Sequence, residues 1–70
     1  METLDLHGIR HAKAKLLVEE FLASKELPLR IITGRSPAMQ DIVKDLLSGE
    51  MQWQYESDWN LGAMIILKRG

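Results

Sequence analysis

Asp5 and His7 stand two residues apart in the segment Thr3-Leu4-Asp5-Leu6-His7-Gly8. Apolar Leu4 and Leu6 alternate there with Thr3, Asp5 and His7, the period-two pattern of a half-buried strand. Residues two apart on a strand share a face, so the spacing sets a carboxylate beside an imidazole on the face away from Leu4 and Leu6. Such a pair can orient the ring, serve as a general acid or base, or hold a phosphate through a protonated imidazole. The plain alternative is a polar pair facing solvent at a strand end. Two side chains are too few for a zinc site, and no metal ligands are assigned. Mg2+ is the one cofactor compatible with the pair, held weakly through one carboxylate, water and substrate phosphates.

Thr33-Gly34-Arg35-Ser36 is the second segment with chemical potential. Ser36 followed by Pro37 is a favoured pair for the cap and first residue of a helix. Amides at a helix start bind phosphate, Gly34 permits close backbone approach, and Arg35 adds a charged contact. In the simpler reading Gly34 only turns the chain and Ser36 only caps. His11 falls in the first turn of an earlier helix, near Arg10, where it could reach a phosphate beside His7 or be an ordinary surface histidine.

These segments need a frame that brings them together. The spacing predicts a strand over Thr3–His7 and a helix from Ile9 to Ser24, with Ala14, Leu17, Val18, Phe21 and Leu22 on its apolar stripe. Pro28 blocks further helix, and Leu29–Thr33 reads as a strand. A second helix starts at Pro37, carries Met39, Ile42, Val43, Leu46 and Leu47 on one face, and meets a left-handed stop at Gly49. Gln52–Glu56 alternates as a strand, Ser57–Gly62 reads as a turn, and the apolar Ala63–Lys68 reads as a central strand. The order β-α-β-α-β-β predicts an α/β two-layer sandwich, a mixed four-stranded sheet with two helices on one face. The first two strands are then parallel. Both candidate segments leave the sheet at the carboxyl ends, where α/β sheets usually bind ligands. Trp53 is expected in the core, while Tyr55 is either core or a stacking platform. Trp59, in a polar turn, could pack over the sheet edge, stack on a base or meet a second copy.

Composition narrows the classes of function. Seventy residues make one domain, 1–70, and the 46% hydrophobic content argues against disorder. The absence of cysteine excludes disulfides and thiolate metal sites, and fits a reducing, cytoplasmic location. The longest apolar run, Ala63–Leu67, is too short for a membrane span, and the start lacks the basic-then-apolar pattern of a signal peptide. A net charge of -1 excludes a uniformly basic nucleic-acid binder and leaves room for a local basic patch.

The segments Leu4-Asp5-Leu6-His7-Gly8 and Ile31-Ile32-Thr33-Gly34-Arg35, with Gly62-Ala63 opening the last strand, resemble the Smr (small MutS-related) domain family. The resemblance spans about Thr3 to Lys68, and the LDLHG segment is its most specific part. It implies a sandwich like the C-terminal domain of translation initiation factor three, with DNA or RNA binding and often nicking or endonuclease activity. It carries the family's LDxH and TGxG motifs onto Asp5, His7, Thr33, Gly34 and Arg35. The last glycine of TGxG is Ser36 here, the usual glutamate before Ala14 is Lys13, and the glycine-rich turn is reduced to Asn60-Leu61-Gly62.

The expected function is therefore nucleic-acid binding with nicking or endonuclease activity, catalysed by Asp5 and His7. The nucleic acid would meet Arg10, His11, Thr33, Gly34, Arg35 and Ser36. The alternatives are a binding module without catalysis and a protein-interaction domain built around Trp59. A homodimer or a separate targeting protein remains open as a further partner.

Overall fold

The computed structural model describes residues 1–57 and 59–69. The chain forms β1 (Glu2–Asp5), α1 (His11–Ser24), β2 (Leu29–Ile32), α2 (Pro37–Leu47), β3 (Met51–Ser57) and β4 (Asn60–Arg69). The sheet order is β1-β2-β4-β3. β1 runs parallel to β2, and β4 runs antiparallel to both β2 and β3. β3 is therefore parallel to β2, and each helix is a crossover between parallel strands. This is the expected α/β sandwich, and the apolar last strand is central.

Alternation along each strand decides which side chains meet the helices. Leu4, Ile31, Met64 and Tyr55 lie in register across the sheet, as do Leu29, Ile66 and Trp53. These rows pack with Val18, Phe21 and Leu22 of α1 and Val43 and Leu47 of α2 in one core. Each fully buried aliphatic side chain contributes roughly 1.5–3 kcal/mol. Tyr55 thus belongs with Trp53 on the helix side, its ring edge-on to the indole at 5.1 Å, and neither is a platform on the open face. The open face carries Thr3, Arg30, Ile65 and Gln54 in register. There Arg30 makes two 2.9 Å hydrogen bonds to the Glu56 carboxylate, which also accepts from Asn60. The bond from Arg30 holds the Glu56 carboxyl below its ordinary value, and the same bond raises the guanidinium.

Several boundaries differ from expectation. β1 ends at Asp5, not His7, because Asp5 redirects the chain. α1 begins at His11, two residues after Ile9. α2 reaches its left-handed residue at Ser48 (φ 53) before Gly49 (φ 72), with the Ser48 hydroxyl donating to the Asp45 carbonyl. The expected turn over Ser57–Gly62 is shorter, since β4 already starts at Asn60 and pairs with Ser57. Asp58, within that expected turn, lies outside the described residues. No helix among the described residues is long and apolar enough to cross a membrane.

Candidate nucleic-acid interface

The site is built where β1 and β2 end. The Leu6 amide still donates to the Ile32 carbonyl at 2.8 Å, so pairing holds until the chain turns. The turn has two locks. Asp5 Oδ1 accepts from the His7 amide at 2.9 Å, and the Ile9 amide donates to the Leu6 carbonyl at 3.0 Å. Gly8 sits at φ 76, the positive value that the third position of a type II turn requires. His7 is thereby taken off the strand, and its ring comes to the neighbouring loop. A Cβ built on Gly34 would lie 3.8 Å from His7 Cδ2. The two candidate segments do converge. The expected pairing within the first is different: the Asp5 carboxylate holds the His7 backbone rather than its imidazole.

The Thr33–Ser36 loop is tied to β4. The amides of Thr33 and Gly34 both donate to the Gly62 carbonyl, at 2.8 and 3.0 Å. The buried Thr33 hydroxyl lies 2.9 Å from the Gly34 carbonyl and 3.3 Å from that of Gly62, and its one proton serves either. Thr33 therefore has no donor facing outward, and the Gly34 amide is also engaged. Both were expected at the nucleic-acid surface, and in the structure these groups shape the loop. Gly62 is needed for that closeness, since a Cβ on it would stand 3.3 Å from the Gly34 carbonyl carbon.

Gln40 carries the second tie. Its side-chain amide donates to the Leu61 carbonyl at 2.9 Å and approaches that of Gly34 at 3.4 Å, while its oxygen accepts from the Tyr55 hydroxyl at 3.2 Å. One side chain thus joins α2 to the loop, to β3 and to β4. Sequence reasoning missed it, although a polar residue three before Val43 on the apolar side of a helix was a usable signal.

The helix starts supply the remaining groups. Ser36 caps α2 as expected, its hydroxyl accepting from the Met39 amide at 3.2 Å. Among the described residues no protein acceptor takes the amides of Arg35, Ser36 or Ala38. At α1, Arg10 occupies the cap position with extended backbone but makes no side-chain cap. The first intrahelical bond is Ala14 to Arg10 at 2.8 Å, which leaves the amides of His11, Ala12 and Lys13 without a protein acceptor among the described residues. Neither helix has an acid in its first turn to offset the positive end of its dipole. Arg10, His11, Lys13, Arg35 and His7 are all exposed at this end.

No family model, curated protein or solved structure gives a significant match to the chain. The functional reading therefore rests on this geometry. Two exposed helix starts free of acid, two arginines and two histidines gather at one end, opposed nearby by Asp5. That arrangement can take an anion with several oxygens. Among the described residues no three histidine or acidic side chains gather to hold a metal. A Mg2+ at Asp5 would have one carboxylate oxygen from the chain, the other being held by the His7 amide, with water and phosphate completing its shell.

Proposed function

We propose that this domain binds nucleic acid by its phosphate backbone, at the end of the sheet where β1 and β2 finish and both helices begin. The observation that carries the reading is the start of α1, which is uncapped, free of acid, and flanked by Arg10, His11 and Lys13, close to where the His7 ring approaches Gly34. Backbone amides at a helix start and arginine side chains are the usual partners of phosphate oxygens. Arg35 adds a further cation beside the second helix start. Ser36 contributes through its backbone, since its hydroxyl is engaged as the cap.

Nicking or endonuclease activity, as in the Smr domains that the chain resembles, would fall to His7. In such a hydrolysis water attacks phosphorus and gives up a proton to solvent, the bond to the leaving sugar oxygen breaks, and a protonated His7 gives that oxygen a proton, which the imidazole then regains from solvent. Asp5 is then a positioning residue, setting the turn that presents His7. The bond from Asp5 to the His7 amide favours a second reading, binding without cleavage, because the ring lacks the carboxylate partner that a catalytic pair would provide. A nuclease assay on single-stranded, duplex and branched substrates, with and without Mg2+, separates the two. Products that disappear in His7→Ala support cleavage. Binding with no products on any substrate supports the module. No binding to any substrate at low salt overturns both.

A further inference from the structure

A large indole stands uncovered beside the proposed phosphate site. Trp59, in the β3–β4 connection, is 81% exposed, while the chain's other tryptophan packs against the core. With Leu61, which is 44% exposed, it lines a cleft of about 400 Å³ whose other walls are Arg35, Pro37 and Gln40. An aromatic face, an apolar ring and a guanidinium therefore share one recess.

We infer that Trp59 stacks on an unpaired base in this cleft while Arg35 holds an adjacent phosphate, so that the ligand is single-stranded nucleic acid. This rests on the phosphate-binding reading and extends it to the substrate class. Three observations support it. The cleft opens at the first turn of α2, which contains no acidic residue of its own and where Arg35 brings a cation, matching a charged backbone. Base and phosphate are neighbours in a nucleotide, as indole and guanidinium are neighbours here. Finally, the uncharged polar side chain in the wall is already engaged within the fold. The Gln40 amide is committed to Leu61 and Gly34, and its oxygen to Tyr55. A base held there is recognised by its face rather than its edge, which makes the contact tolerant of sequence. A duplex hides those faces and gains nothing from Trp59.

The test measures affinity of the full chain for a thymidine oligomer and for a duplex of equal length, across a salt series. Wild type, Trp59→Ala, Trp59→Phe and Arg35→Ala are compared. Trp59→Ala should weaken single-strand binding by roughly 5- to 150-fold, the range for one lost stacked base, and leave duplex binding and both salt slopes unchanged. Trp59→Phe should keep most of the affinity. Arg35→Ala should lower both affinities and make both salt slopes shallower. The oligomer should quench the fluorescence of wild type and not that of Trp59→Ala, whose remaining indole is Trp53. If Trp59→Ala binds the oligomer as wild type does, or loses oligomer and duplex equally, stacking is overturned while phosphate binding stands. If it instead abolishes a concentration-dependent dimer seen by sedimentation and leaves affinity intact, Trp59 is a contact between copies and the inference is likewise overturned. If wild type binds neither nucleic acid at low salt, the phosphate reading itself falls.

Discussion

α1 and α2 start at the same end of the sheet and are finished there in different ways. α2 has Ser36 as its cap, Pro37 at its first position and Gln40 binding its first turns to the loop and the hairpin. α1 has Arg10 where a cap should be, with the extended backbone a cap needs and no cap bond. The fold is thus able to close a helix start and does so in only one of two places. A serine or aspartate at position 10 would be worth about 1 kcal/mol. An exposed arginine that forgoes this stabilisation points to a role outside the fold, whereas the second start is largely explained by the fold itself.

The largest effect expected at this end is on the proposed cleavage. His7→Ala should lower it by about 10²-fold or more, with a much smaller loss of affinity. Asp5→Asn retains an oxygen that can accept from the His7 amide, so the turn and most of the activity should survive. Asp5→Ala removes that acceptor and should lower activity further. Cleavage lost equally in both variants would show that the charge matters and not the turn.

Arg10→Asp should act in opposite directions on stability and binding. The new cap and the favourable charge at the dipole should stabilise the domain by about 0.5–1.5 kcal/mol. Affinity for nucleic acid should fall and its salt slope become shallower. Chemical denaturation beside a binding isotherm checks both, and a variant that gains stability with unchanged affinity would remove α1 from the interface.

At the other start, Ser36→Ala should cost about 1 kcal/mol and Ser36→Gly only a few tenths. Equal losses from the two would mean that Ser36 does something other than cap.

The smallest effect concerns pH. The Glu56 carboxyl is held low by Arg30, so the pair contributes stability above the ordinary carboxylate value and loses it as pH falls through the lowered one. Both side chains are about a third exposed and open to screening by water and salt, so the contribution is small. Glu56→Gln should flatten the acid side of the stability profile slightly. A profile unchanged by the substitution would remove the pair from the acid response.

The frame was legible because its signals are local. Leu29 and Ile31, the stripe from Met39 to Leu47, and the Ser36-Pro37 pair each follow from spacing within one element. The site was legible only in part. Local pattern continues the first strand to His7, but Asp5 bends back onto the His7 amide, and a side chain that accepts from its own backbone breaks the alternation. Local pattern reads Thr33 as the end of a strand and Gly34 as a turn open to close approach, yet the amides of both meet Gly62, nearly thirty residues away. Only the sheet order, with β4 between β2 and β3, brings Gly62 to that loop. Gln40 was obscured in the same way, since two of its three partners, Leu61 and Tyr55, arrive through tertiary contact.

The central claim, phosphate binding where both helices begin, is tested most directly by one salt series. Affinity for a single oligonucleotide is measured against salt concentration for wild type, Arg10→Ala, Arg35→Ala and the double variant. Each arginine should account for roughly one unit of slope, and the double variant for roughly two, with the fold unchanged by circular dichroism. A double variant that keeps the affinity and the slope of wild type would place the binding surface elsewhere and contradict the account.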